Sequence, residues 1–247
     1  MSILCYHAVE DDWESPLALA PPVFEAQCAW LSRRRHVIPL REAVTKLKGW
    51  RRLPRRTTAL TFDDGFAALY DNAWQVMARH NIPSTMFIVA RTLSAEGHAV
   101  DWVDTPPKHE MRCLTIEQIL EMQESGVDFG SHTLVHHDLR ELGDEECERD
   151  LRESREMLED LLGRPVPFLA YPRGFNNVRV QRSAERAGYS HAFTLPTEPE
   201  RPGAYAIPRA GIYAGNGMRA LAIKTHPYYI ATRTSSLLSP LRHLVSR

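Results

Sequence analysis

The sequence predicts a single α/β domain in which a parallel sheet is covered by helices. Three observations carry that expectation. Short apolar runs of strand length alternate with stretches of helical periodicity, and repeated βα units build parallel sheets with helices outside. The 247 residues suit one barrel-sized domain, because α/β barrels often reach this length undivided. The residues able to do chemistry stand at the ends of predicted strands, where barrel enzymes gather their functional groups.

Taken in order, Ile3 to Tyr6 is the first predicted strand, with His7 at its end. The loop Glu10 to Pro22, holding Trp13 and three prolines, crosses the rim. Val23 to Arg35 is a predicted helix, with Phe24, Cys28 and Leu31 at helical spacing. Val37 to Leu40 is a short strand and Arg41 to Trp50 a helix. The basic cluster Arg51, Arg52, Arg55 and Arg56, broken by Pro54, reads as a solvated linker. Thr57 to Phe62 is apolar and β-branched and ends on Asp63-Asp64-Gly65, where glycine permits a sharp turn.

Phe66 to His80 follows as a helix, Pro83 breaks it, and Ser84 to Ala90 is the next strand. Arg91 to Leu114 is a long irregular insertion of the kind that forms lids or binding loops, and Trp102 in it either offers a face to a sugar ring or packs the loop itself. Thr115 opens a helix to about Ser125 through a capping box with Gln118, and Gly126 ends it. Val127 to Gly130 is the strand that delivers Ser131-His132-Thr133-Leu134-Val135-His136-His137. Asp144 to Leu162 is a helix on the spacing of Cys147, Leu151, Met157, Leu158 and Leu161, closed by Gly163. Val166 to Ala170 is a strand, Tyr171 to Asn176 a turn, Val178 to Ala187 a helix, and His191 to Leu195 and Ala204 to Tyr213 the last strands.

Thirty basic and thirty-one acidic residues leave a formal net charge of -1, which gives no general argument for nucleic-acid binding. Cys5, Cys28, Cys113 and Cys147 form no CxxC pair, so reduced thiols are expected. No signal peptide and no run of about 18 to 20 apolar residues is seen, which predicts a cytoplasmic placement. From Arg201 onward there are seven basic residues and no acidic one. The segment 227–247, with Leu237, Leu238, Leu241, Leu244 and Val245 among the basic residues, is predicted to be an amphipathic tail following a domain of residues 1–226. It packs on the barrel or makes a peripheral contact with a membrane or a polysaccharide-assembly partner.

Two adjacent acids at a strand-to-helix corner repel each other, so Asp63 and Asp64 require a counter-charge or a metal. His132 and His136, one helical turn apart, supply imidazoles, and two imidazoles with one carboxylate leave positions open as catalytic metal sites do. Thr61-Phe62-Asp63-Asp64-Gly65 followed by His132-Thr133-x-x-His136 resembles the polysaccharide deacetylase family, the NodB-homology or carbohydrate esterase family 4 enzymes. Tyr6-His7-Ala8-Val9, Ala170-Tyr171-Pro172 and Ile207-Pro208-Arg209 extend the resemblance over residues 2 to 213, with spacing similar to the branch acting on exopolysaccharides.

The resemblance implies a distorted (β/α)7 barrel and a hydrolase that removes N-acetyl groups from the amino sugars of a glycan or its precursor. It implies one divalent metal ion, zinc, on Asp64, His132 and His136, with Asp63 as general base. The family arginine that orients the base is missing from the third motif, where Arg173 replaces a tyrosine, and Arg209 is expected to pair with Asp63 instead. Tyr171, Pro172 and Arg173 are expected to contact substrate, with the Arg173 backbone N–H as an oxyanion donor. His7 and His226, the latter in a loose match to a late Leu-x-Leu-x-His motif, are the two candidate proton donors. Rival readings are an O-acetyl esterase with the same metal site and a catalytically silent glycan-binding or assembly protein.

Overall fold

A computed structural model describes residues 2–236 of the chain. Ten strands are present among them: β1 (Ile3–Tyr6), β2 (Ala8–Val9), β3 (Ala18–Leu19), β4 (His36–Val37), β5 (Thr57–Phe62), β6 (Ser84–Ile88), β7 (Asp128–Ser131), β8 (Phe168–Ala170), β9 (His191–Thr194) and β10 (Ile207–Gly211). The helices are α1 (Pro21–Arg34), α2 (Leu40–Lys46), α3 (Gln75–Arg79), α4 (Ile116–Glu124), α5 (Asp144–Leu162), α6 (Val178–Arg186), α7 (Met218–Lys224) and α8 (Tyr229–Thr234).

The sheet runs β1-β10-β9-β8-β7-β6-β5 and closes on itself because β5 also pairs with β1, every pair being parallel. The result is a (β/α)7 barrel. Closure leaves a mark on β5: its first residues, Thr57 and Thr58, pair with β4, while Ala59 to Phe62 pair with β1. All residues of β1 and β5 are buried, as expected of parallel strands covered on both faces. The helices pack outside them through apolar stripes such as Cys147, Leu151, Leu158 and Leu162 of α5.

Several expected elements change at their edges. The helix predicted over residues 41–50 begins at Leu40 and stops at Lys46, because Lys48 to Arg52 double back into a tight turn around Gly49. The helix predicted from Phe66 opens as a π-helical segment, Leu69–Trp74, before α3. The rim loop before Pro22 contains β3, which pairs with β2 just ahead of the loop, both too short to show a periodicity. Thr115 caps α4 through the reciprocal bonds with Gln118, and Gly163 closes α5 in the left-handed conformation. All four cysteines are free. No described helix is long and apolar enough to cross a membrane. The leucines and valine of the expected amphipathic tail, from Leu237 on, lie outside the described residues.

Candidate active site

The register of the barrel puts the chemistry at one end. Tyr6 pairs with Phe62, so His7 and Asp63 leave their strands side by side, and the Asp63 N–H donates to the Tyr6 carbonyl at 3.0 Å. Two strands further round, Ile88 pairs with Ser131, and the next residue, His132, donates its N–H to the Ile88 carbonyl at 2.7 Å. Gly65, at φ 66°, lies so close to β6 that a Cβ there meets Ile88 Cδ1 at 2.7 Å. The turn after β5 therefore takes glycine and aims the two preceding carboxylates into the barrel mouth.

Asp64 meets both imidazoles. Its Oδ1 lies 3.5 Å from His132 Nε2 and 3.3 Å from His136 Nε2, with all three side chains buried. The His132 ring is oriented from behind, its Nδ1 bonding to the Ala170 carbonyl at 2.8 Å, which leaves Nε2 free to face Asp64. These two residues are not on a helix, as their spacing suggests. Thr133 and His136 have φ of 70° and 65°, and the loop is tied by Thr133 N–H to Ser131 Oγ, His136 N–H to Thr133 Oγ1 and Leu134 N–H to Asp150. With Asp64 at 70° and Arg173 at 56°, four non-glycine residues around this centre hold left-handed backbone, a concentration that marks functional sites.

The donor set fits a metal ion. Asp64 Oδ1 is buried and has no hydrogen-bond partner, though it faces two nitrogens. Ligand atoms about 2.1 Å from a shared tetrahedral centre lie roughly 3.4 Å apart, matching the two separations above. Burial pushes the Asp64 carboxyl up, but the contacts with His132 and His136 hold it well below the usual carboxylate range. Burial lowers both imidazoles; the carboxylates of Asp63 and Asp64 oppose this, leaving His132 above its ordinary value and His136 below. An anionic oxygen and two imidazole lone pairs converge, which suits a divalent cation.

Asp63 points the other way. Arg209, on β10 and only 1% exposed, donates Nη1 to Asp63 Oδ1 at 2.6 Å and Nη2 to Oδ2 at 2.7 Å. Nη1 also reaches Thr61 Oγ1 at 3.1 Å, and the Cys5 thiol donates to Asp63 Oδ2 at 3.3 Å. Burial pushes the Asp63 carboxyl up, but the Arg209 guanidinium and then His132 more than offset it, leaving the group below its ordinary value. His7 is buried with Nδ1 unpartnered and its ring stacked on Tyr213. One of its nitrogens lies within 4.8 Å of both Asp63 and Cys5. Burial lowers its pKa against the pull of both carboxylates.

A cavity of about 330 Å³ opens over this cluster, lined among others by His7, Asp64, His132, His136, Leu195 and Tyr213. The insertion after β6 forms its wall. Trp102 lines the cavity and lies on the His136 ring, centroids 5.0 Å apart and nearly parallel, so one face of the indole is taken by an imidazole. Arg173 ties the same loop down, donating to both Asp104 carboxylate oxygens and to the Trp102 carbonyl.

Three expected site residues lie elsewhere. Tyr171 is fully buried among Leu139, Cys147 and Val180 and donates its hydroxyl to the Tyr205 carbonyl, so its side chain is core and cannot touch substrate. Pro172 is buried with it and is absent from the cavity lining. His226 is exposed, just past α7, at the end of the barrel where the strands begin, since the preceding Lys224 carbonyl accepts from Ser2 ahead of β1. Conversely, Leu195 and Tyr213 line the cavity without having been singled out; each directly follows or nearly follows a strand, the same signal that marked His7.

The turn after β8 is equally constrained. Gly174 has φ 76°, and a Cβ there lies 2.3 Å from the Leu195 backbone nitrogen. Gly174→Ala is expected to cost about 2–3 kcal/mol, read as a lowered midpoint in denaturant unfolding; an unchanged midpoint refutes the contact.

A family model described as polysaccharide deacetylase matches residues 51–192, more than half of the chain. The poly-beta-1,6-N-acetyl-D-glucosamine N-deacetylase of Staphylococcus epidermidis is 28% identical over 201 residues, 75% of this chain and 65% of that protein. YxkH of Bacillus subtilis is 26% identical over 220 residues, 87% of this chain and 72% of its own length. The chain thus spans a little under two thirds of the staphylococcal relative. Among solved structures, IcaB from Ammonifex degensii matches with a TM-score of 0.73 at 25% identity, over 90% of this chain and 95% of that one. The Streptococcus pyogenes deacetylase PplD shares the fold, with a TM-score of 0.71 at 20% identity over 95% of this chain and 98% of that one.

Proposed function

The chain belongs to the polysaccharide deacetylase family, and from that premise we propose that it removes N-acetyl groups from amino sugars of a polysaccharide or its precursor. The observation that carries this reading is the unpartnered Asp64 Oδ1 set between two imidazole nitrogens, with a second carboxylate beside it. The relatives named as N-deacetylases support the substrate class.

An amide is a poor electrophile with a poor leaving group, so its hydrolysis needs an activated water, charge stabilisation and a proton for the departing amine. A divalent ion, zinc in this reading, held by Asp64, His132 and His136 supplies Lewis acidity toward water and the acetyl oxygen. Asp63 takes the proton of the attacking water, and Arg209 keeps it ionised and fixes its orientation. The backbone N–H of Arg173 donates to the developing oxyanion. His7 is the proton donor to the leaving nitrogen; an imidazolium weakened in its hold on the proton by burial gives it up readily. Tyr213, stacked on His7, sets the ring plane.

The test is acetate release from a panel of acetylated glycans, with metal content and free amine measured together. Chelation is expected to abolish release and a divalent ion to restore it, with free amine appearing in step. Acetate without new amine makes the protein an ester hydrolase; neither product from any glycan, with metal bound, leaves a binding protein. Replacing His7 by glutamine is expected to remove the alkaline limb of the kcat profile, whereas replacing His226 leaves it in place. The reverse result reassigns the donor.

A further inference from the structure

The barrel end remote from the cavity carries a concentration of positive charge that the chemistry above does not use. Between Arg33 and Arg56 the sequence has ten Lys and Arg residues against one acid, Glu42. Since the whole chain has a net charge of -1, the remainder is strongly acidic and the molecule is electrically polarised.

The fold gathers these cations where the strands begin. Arg33 and Arg34 close α1, and Arg55 and Arg56 lead directly into β5. Between α2 and β5 the chain doubles back, Lys48 N–H donating to the Arg52 carbonyl at 2.9 Å, with Gly49 and Trp50 both at φ 58°. Left-handed backbone is an outlier for a residue of this bulk, and here it holds Trp50 at the tip of a turn, 39% exposed, between Lys48 and Arg51. Tyr228, 61% exposed, lies across a groove of about 440 Å³ that Lys48, Arg51, Arg52 and Pro227 also line. Ile223, close by in the chain, is 44% exposed.

Within this stretch, Arg41 and Lys46 have acidic partners in Asp128 and Glu42. Among the described residues, Lys48, Arg51, Arg52, Arg55 and Arg56 have none. Uncompensated cations around an exposed indole, phenol and aliphatic side chain match an interfacial bilayer, where cations meet anionic head groups and amphipathic rings settle at head-group depth. A duplex groove takes a helix or ribbon, and this face presents a tight turn.

We infer that the strand-start end of the barrel is a docking surface for an anionic lipid bilayer, which turns the catalytic cavity away from the membrane. Sedimentation of the full chain with phosphatidylcholine vesicles, with and without phosphatidylglycerol, tests it. Binding is expected to the anionic vesicles alone and to fall with added salt. At about fivefold in partition per basic residue near the surface, Arg51→Glu with Arg52→Glu is expected to weaken binding at least tenfold, and Trp50→Ala severalfold, both with acetate release from a soluble substrate unchanged. Equal binding to neutral vesicles, or full binding by the double variant, overturns the inference. So does loss of binding only when Arg242 and Arg247 are reversed in the full chain, which moves the contact to the tail. Retention of single-stranded nucleic acid without any of vesicles assigns the face to another partner and overturns it as well.

Discussion

Arg209→Met is expected to destabilise the protein by about 3–5 kcal/mol at neutral pH, the cost of leaving a buried charge without its partner. Asp63 and Arg209 are each about 1% exposed and joined by two short bonds, so no water replaces the lost guanidinium. The sign of the pH dependence follows from the direction of the Asp63 shift. In the native protein its carboxyl lies below its ordinary value, so it contributes stability that is present above the unfolded value of about 3.9 and lost as pH falls through the folded one. Without Arg209 the largest remaining influence is burial, which raises the carboxyl and reverses the slope. The variant's deficit is then largest near pH 8 and shrinks on acidification toward pH 4. The acidic limb of its kcat/KM profile moves to higher pH, because the base works only as a carboxylate. Urea unfolding at several pH values and a pH-rate profile check both halves, and an unmoved acidic limb removes Arg209 from the mechanism.

Asp63→Asn and Asp64→Asn are expected to separate base from ligand. Asparagine at 63 keeps one acceptor for Arg209 but leaves its charge unpaired, so some stability is lost and rates are read on folded protein; it cannot take a proton, and acetate release falls by about 10²–10⁴, the usual contribution of a positioned base, with metal content intact. Asparagine at 64 removes the anion between the two imidazoles, and metal is lost together with activity. Metal analysis beside initial rates distinguishes them. Full turnover by Asp63→Asn ends the proposal, and so does full metal retention by Asp64→Asn.

The strand ends were the most legible part of the chain. The run Thr57 to Phe62 and the Asp-Asp-Gly corner announce a buried strand and a sharp turn through composition alone, and α5 through its apolar spacing. The side-chain direction of Tyr171 was hidden, since a turn rich in proline and glycine fixes the backbone but leaves open whether the aromatic ring faces the cavity or the core. The packing of Trp102 was hidden for a similar reason: an irregular insertion has no period, and only the folded loop shows the indole lying on His136 at the cavity wall. His226 matched a motif by spacing, yet α7 carries it toward the end of the barrel opposite the cavity. His132 and His136 stand four apart without any helix, because Thr133 and His136 take the left-handed turn that brings both rings to Asp64.

The closure of β1 between β5 and β10 sets a timetable for biogenesis. β1 waits for one of its two neighbours until Ile207–Gly211 has been translated, a separation of some two hundred residues that makes the closing step slow. A nascent chain paused before that point holds Asp64, His132 and His136 but has no guanidinium for Asp63. Asp64, His132 and His136 are therefore all translated before Arg209, and on the reading proposed above the Asp63 carboxylate gains its charge partner only when β10 is in place.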